Sequence, residues 1–185
     1  MTPVADLALH ALRRSCLHLG PGYTDRELSD IQAEYGFTFH RDHADVLREV
    51  TPAGWTDWLG DSTRVRGALD WPIEGVLFDV KNAFWLPAWG ERPASREAAL
   101  EFARQELARV PKLVPIYGHR YIAAGPERSG APVFSAYQTD VIYYGADLAD
   151  YCIHEFLGEP TGRTHRRRIP FWSDLADGAG DIQFW

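Results

Sequence analysis

The chain has 185 residues, 45% of them apolar, which is enough for one well-packed domain, and a formal net charge of −7 at pH 7. An acidic protein repels phosphate on average, so specific binding to nucleic acid is not expected. The sequence lacks a signal peptide and the roughly 18 consecutive apolar residues of a membrane span, which predicts a cytoplasmic protein without membrane contact.

Three helices are predicted in the N-terminal part of the chain. Apolar residues at helical spacing predict the first over residues 3–19. Thr24 and Glu27 form a capping-box pattern that begins the second helix, and Gly36 ends it. A third helix is predicted over residues 42–50. The two cysteines of the chain lie in predicted helices and are expected to be reduced and mostly buried; they are Cys16 and Cys152.

The middle of the chain is rich in aromatic residues. Trp55 and Trp58 lie in a turn, where an indole either fills the core or lines a concave surface, and the core is the favoured interpretation. Residues 61–69 predict a short helix, and the β-branched pattern of residues 76–80 predicts a strand. An irregular aromatic loop follows, and then a helix over residues 96–110 with a broad apolar face.

The densest succession of strand and turn signals lies in the second half of the chain. Residues 113–117 and 119–123 predict one hairpin, and residues 132–137 and 141–144 predict a second. A closing helix is predicted over residues 148–156, with its apolar side chains on one face. The sequence therefore predicts a single α+β domain with helices packed around a mostly antiparallel sheet of about four to six strands.

The composition changes after residue 158. We predict a body over residues 1–158, and a basic arm with an aromatic C-terminal tail over residues 159–185. The cations of the arm are expected to pair with carboxylates of the same chain. The tail is too apolar to remain in water, so we expect it to dock on the body or on a second copy; its apolar runs are Ile169-Pro170-Phe171-Trp172 and Phe184-Trp185.

Residue spacing gives little support for catalysis. His40, Asp42 and His43 are the nearest approach to a metal motif, but a three-residue histidine spacing supplies two ligands, whereas zinc sites use three or four. No serine or cysteine lies in a nucleophile elbow, and no glycine pattern forms a phosphate-binding loop. We therefore predict no catalytic residue, no metal site and no cofactor, with a small metal-dependent hydrolase as the weakest alternative.

Carboxylates and tyrosines concentrate after the last predicted strands. Tyrosines can anchor a partner, and carboxylates can meet its lysines or arginines, so this concentration predicts a protein-binding surface. The alternative is a solvated helix face with the tyrosines in the core. Together with the tryptophan turn, the predicted surface consists of Trp55, Trp58, Asp140, Tyr143, Tyr144, Asp147 and Asp150.

Several segments carry a resemblance to a known family. The segments GFTFHRDHADVLREV, PAGWTDW, VPIYGHRYIAAGP and PVFSAYQTDVIYYGADLADY resemble the SMI1/KNR4 family of the SUKH superfamily. The resemblance extends over roughly residues 28–156, and its most specific part is the pair Trp55 and Trp58 after Gly54. It implies a SUKH-like fold and an immunity-type protein that binds and neutralises a cognate toxin, commonly a nuclease. A basic toxin would suit the acidic charge, and a regulatory or scaffold protein of the same family is the alternative.

Overall fold

The structure, a computed structural model, describes residues 1–126, 128–164 and 166–178. The helices are α1 (Pro3–Arg14), α2 (Asp25–Tyr35), α3 (Arg41–Glu49), α4 (Ser62–Lys81), α5 (Arg96–Leu107), α6 (Leu148–Leu157) and α7 (Trp172–Ala176), with one 3-10 turn at Pro87–Trp89. The strands are β1 (Leu19–Pro21), β2 (Val50–Pro52), β3 (Leu113–Tyr117), β4 (Arg120–Ala123), β5 (Val133–Tyr137) and β6 (Asp140–Gly145).

A four-stranded sheet in the order β3-β4-β5-β6 forms the middle of the fold, and each neighbouring pair is antiparallel. The strands follow one another as hairpins, so they need no crossover connection. Gly118 and Gln138 adopt the positive φ angles that the two tight turns require, 53° and 58°. A separate antiparallel pair joins β1 to β2. The predicted α+β class with a mostly antiparallel sheet is confirmed.

Each face of the four-stranded sheet covers its own hydrophobic core. Val114 and Ile122 face the first core, where they meet buried residues of α1, α2, α3 and α6. Their chain neighbours Leu113 and Tyr121 face the second core, which contains buried residues of α5 and α7. Because both faces are covered, the strands are apolar over most of their length.

The largest departure from the sequence-based prediction is α4. The short helix predicted over residues 61–69 and the strand predicted over residues 76–80 belong to one 20-residue helix. The strand prediction is wrong because valines fit a strand by local propensity, whereas burial against two cores decides the state of this segment. The buried side chains follow helical intervals of three and four residues: Val65, Leu69, Pro72, Val76, Leu77 and Val80.

The first helix is shorter than the apolar spacing predicts. It ends at Arg14, and the Ser15 hydroxyl donates to the carbonyl oxygen of Leu12 at 2.7 Å. The following residues enter β1, a strand that the sequence analysis did not predict. Cys16 is therefore exposed and outside a helix, so the expectation of a buried thiol is wrong there. Cys152, in contrast, is fully buried in α6, as expected.

The C-terminal segment packs on the body as far as the structure describes it. Trp172 is fully buried in the second core, and its Nε1 donates to the carbonyl oxygen of Pro111 at 2.6 Å. Ile169 and Leu175 are buried in the same core. Two arginines of the arm pair with carboxylates of the same chain, Arg163 with Asp147 and Arg168 with Asp174. The predicted docking of Phe184-Trp185 concerns residues outside the described ones.

Candidate functional site

Two of the most exposed aromatic side chains among the described residues lie on α4. Trp71 and Phe78 are seven residues apart, which places them on the same side of a helix, and they are 46% and 53% exposed. The residues that share this side with them include the small Gly67, Ala68 and Gly75. Large rings separated by small residues leave concave surface between them, so this side of α4 is shaped rather than flat.

The tips of both hairpins of the sheet line the opposite wall. Tyr137, at the end of β5, is 53% exposed, and its ring centroid lies 6.0 Å from that of Trp71. Gly75 allows the β5–β6 turn to approach α4, because a Cβ at this position would lie 2.8 Å from the Cα of Gln138. The Asp79 carboxylate accepts hydrogen bonds from the Thr139 amide and hydroxyl at 2.9 and 2.6 Å. These contacts hold the turn against the helix.

Three adjoining cavities run along this side of α4. The first, of about 610 Å³, lies beside Phe78 and is also lined by Leu77, Leu100 and Gln138. A second, of about 380 Å³, shares Trp71 with it. The third, of about 660 Å³, shares Ala68 with the second. Because neighbouring cavities share lining residues, the three together are called the α4 groove. Its central lining residues are Ala68, Trp71, Gly75, Phe78, Gly118, His119, Tyr137 and Gln138.

Charged side chains of both signs line the α4 groove. The carboxylates are Asp57, Asp61 and Glu74, and the cations are Arg64, Lys81 and Arg104. Burial, and then the neighbouring Arg120 guanidinium, lower the pKa of His119, which favours its neutral form in the groove. The groove itself is thus close to electrically balanced, although the protein is acidic.

The tryptophan turn that the sequence analysis singled out serves the core. Trp58 is 2% exposed, and its ring lies 5.3 Å from Phe37 and 5.0 Å from Phe39. Trp55 is buried beside His43 and pairs through its backbone with Tyr117 at the end of β3. Trp58 therefore offers no surface to a partner in this conformation, and its predicted role in partner binding is corrected to one in packing. Trp55 reaches only the floor of the groove.

Asp147 and Asp150 are used by the chain itself. Asp147 caps α6 by accepting a hydrogen bond from the Asp150 amide at 2.8 Å, and it also pairs with Arg163. Asp150 accepts from the Ala146 amide at 2.7 Å and from the Thr161 hydroxyl. Both carboxylates are buried. The acidic surface predicted around them is therefore corrected to a helix cap and an anchor for the arm.

The two tyrosines of β6 lie on opposite faces of the sheet, as strand periodicity requires. The Arg120 guanidinium lies over the ring of Tyr144, 3.6 Å from its centroid, and that of Arg166 lies 4.6 Å from the centroid of Tyr143. Both rings are thus partly covered by cations of the same chain. Asp140 is exposed and pairs in register with Tyr137, which places it beside the α4 groove that Trp55 also lines.

Two of the three residues weighed as a metal motif, His40 and Asp42, have structural hydrogen-bond partners. Asp42 accepts from the Thr2 hydroxyl at 2.6 Å and from the Gly130 amide at 2.8 Å. His40 Nδ1 accepts from the Asp42 amide at 3.2 Å and caps α3. Across residues 1–126, 128–164 and 166–178, no group of three or more His, Cys, Asp or Glu side chains is placed to share a metal ion.

Comparison with known proteins finds no matching family model, no matching curated protein and no matching solved structure. Within the described part of the chain, no helix is both long and apolar enough to cross a membrane. Function is therefore inferred from the chemistry of the α4 groove and from the resemblance of the sequence.

Sequence reasoning missed Trp71 and Phe78, the two central side chains of the groove. The sequence analysis predicted Phe78 in a strand and did not assign Trp71 to a helix. It therefore did not show that the two residues lie on the same side of one helix. A signal was present, because Val65, Leu69, Val76 and Val80 recur at multiples of the helical repeat. Extending that period from residue 62 to residue 81 would have placed the two aromatic residues opposite the buried stripe.

Proposed function

We propose that this chain is a non-catalytic protein-binding module that acts as an immunity-type protein against a cognate toxin. The observation that carries the proposal is the α4 groove. Trp71, Phe78 and Tyr137 present exposed rings around adjoining cavities, while most other large apolar side chains of the described residues are buried in two cores. Exposed aromatic rings beside cavities are typical anchors of protein interfaces.

The charge of the protein favours a basic partner. The net charge of −7 attracts a cationic protein over distances longer than a direct contact, and this raises the rate of encounter. The groove itself carries three carboxylates and three cations, so its contribution to affinity comes from buried apolar area. In this proposal the net charge raises the rate of association with a basic partner, and the apolar surface of the groove provides most of the affinity.

The resemblance to the SMI1/KNR4 family supports a toxin, commonly a nuclease, as the partner. A nuclease binds phosphate with a basic surface, which an acidic protein would approach readily. In this proposal the groove seats an apolar element of the toxin, and Asp140 at the rim meets one of its cations. The toxin is neutralised because its phosphate-binding surface is covered.

A two-step experiment tests the proposal. The purified chain captures partners from a lysate of its native organism, and each captured protein is then expressed alone. We expect one of them to arrest growth, and co-expression of the wild-type chain to restore it. The Trp71→Ala/Phe78→Ala variant should bind that toxin about 30-fold more weakly or worse, because aromatic anchors dominate interface energies.

Leu7→Ala provides the matched control, since Leu7 is an exposed apolar residue of α1 that does not line the groove. It should protect as well as the wild type. A captured protein that is not toxic would contradict the immunity role and favour the regulatory alternative. A toxin that the groove variant still neutralises in full would place the binding surface elsewhere.

A further inference from the structure

A fourth cavity, which shares Lys81 with the α4 groove, lies where α4 ends and α5 begins. It has a volume of about 480 Å³ and is formed by the last residue of α4, the first residue of α5 and parts of the loop that joins them. Such a volume falls in the range of small-molecule sites. The lining residues are Lys81, Asn82, Ala83, Arg92, Pro93, Ala94 and Arg96.

Three cations and no carboxylate line this cavity, in a protein with 26 acidic and 19 basic side chains. Among the described residues, no carboxylate lies within ion-pair distance of Lys81, Arg92 or Arg96, whereas many other arginines of the chain are paired. Like charges repel one another when no counter-charge is present. The cluster therefore lacks the negative charge that would balance it.

Arg92 is the most enclosed of the three cations. Its Nη2 donates to the carbonyl oxygen of Val80 at 2.8 Å, which fixes the guanidinium at the end of α4. Its Nε is buried and has no acceptor among the described residues. A buried donor without an acceptor costs free energy, and a charged donor costs more than a neutral one. The Arg92 guanidinium thus adds to the cavity lining a positive charge that no described carboxylate balances.

A purely structural role accounts for only part of the cluster. Cations near a helix C-terminus interact favourably with its dipole, and Lys81 and Arg92 lie at that end of α4. However, two of the terminal carbonyls already accept hydrogen bonds, from Arg92 and from the Asn82 side chain at 2.8 Å. Arg96 belongs to the first turn of α5, where a cation is unfavourable for the dipole. The dipole of α5 therefore gives no reason for a cation at this point of the cavity lining.

We propose that this cavity binds a phosphoryl group. A phosphate dianion matches a site with several cations, and arginine donates pairs of hydrogen bonds in the geometry of phosphate oxygens. The first turn of α5 adds amide donors that point away from the helix. The cavity is several times larger than one phosphate, so it has room for a small molecule that carries the group.

Phosphate titration followed by nuclear magnetic resonance tests the proposal. The ¹⁵N-labelled protein is titrated with inorganic phosphate at constant ionic strength, with chloride as the balancing ion. We expect saturable shifts of amide signals between residues 80 and 97. Lys81→Gln and Arg96→Gln, both at exposed positions, should each weaken binding about tenfold, because each removes a charged donor.

Arg26→Gln is the matched control, since it removes the same charge from α2 and should leave the affinity unchanged. Shifts that do not saturate would overturn the proposal. So would an affinity for phosphate that falls as much in Arg26→Gln as in Lys81→Gln and Arg96→Gln. Glucose 6-phosphate distinguishes the sources of the group. Tighter binding than that of phosphate would identify a phosphorylated small molecule, and equal binding would identify free phosphate.

Discussion

The Tyr121 hydroxyl of β4 donates a hydrogen bond to the carbonyl oxygen of Ala68 in α4, at 3.2 Å. Ala68 precedes Pro72 by four residues, so its carbonyl is the one that the missing N–H of proline leaves without a helical donor. Burial raises the pKa of Tyr121, which keeps the hydroxyl protonated and able to donate. One side chain of the sheet thus allows a proline within the helix that forms the groove.

Tyr121→Phe should lower the free energy of unfolding by about 1 to 3 kcal/mol, because it leaves the Ala68 carbonyl without a donor. Pro72→Ala restores the helical N–H. It should therefore recover more stability in the Tyr121→Phe protein than in the wild type, which urea denaturation of the four proteins measures as a coupling energy. Equal effects of Pro72→Ala in both proteins would show that the hydroxyl does not replace the helical bond.

Because His43 is fully buried, we expect the protein to lose stability in acid. Burial, and then the neighbouring His40, lower the pKa of His43 from 6.5 to about 3, and neither ring nitrogen has a partner among the described residues. At a pH between 6.5 and about 3, His43 binds a proton in the unfolded chain but not in the folded protein. The free energy of unfolding therefore falls as the pH falls. Between pH 7 and pH 5 this residue should cost about 2 kcal/mol of unfolding free energy.

His43→Leu should remove that part of the pH dependence, because leucine cannot take up the proton. His10→Leu is the control, since His10 is exposed on α1. Guanidinium denaturation at pH 7 and at pH 5 measures both variants and the wild type. If His43→Leu loses as much stability in acid as the wild type does, another group controls the acid sensitivity.

Trp58 and Trp71 should respond differently to truncation. Trp58→Ala removes a fully enclosed indole from the first core and should cost about 3 to 5 kcal/mol. Trp71→Ala removes a half-exposed ring and should cost about 1 kcal/mol. Chemical denaturation measures both values. A large loss of stability with Trp71→Ala would make it a structural residue and weaken its assignment to partner binding.

The docked C-terminal segment should contribute strongly to stability. A chain that ends at Glu159 loses three buried side chains of the second core, Ile169, Trp172 and Leu175. Each contributes roughly 2 kcal/mol through burial, so the melting temperature should fall by about 10 to 20 °C. Trp172→Phe, which retains a ring but not the bond to Pro111, should have a smaller effect. An unchanged melting temperature after truncation would show that this contact is weak.

Much of the fold was predictable because its signals are local. The capping box of Thr24 and Glu27 is present, with hydrogen bonds of 3.2 and 2.7 Å, and Gly36 ends α2 at φ 64°. The four strands of the sheet were predicted within a residue or two. Caps and tight turns depend on a few neighbouring residues, so the sequence is sufficient to locate them.

The state of α4 was not predictable from local preference. Val76 and Val80 favour a strand when considered alone, and Pro72 argues against a helix interior. Burial of the valines in the second core and the hydrogen bond from Tyr121 outweigh both preferences. These partners lie many residues away along the chain, so only the tertiary structure brings them to the helix.

The sequence by itself determined the α+β class, the hairpins of the sheet, the acidic charge and the aromatic content. Only the tertiary structure decided which of those aromatic and charged residues remain exposed. In the tertiary structure Trp58, Asp147 and Asp150 are buried and Trp71 is exposed. Lys81 and Arg96, which are distant in sequence, line the same cavity. The physical reason is that exposure depends on which distant elements pack together, whereas helix and strand signals depend mainly on near neighbours.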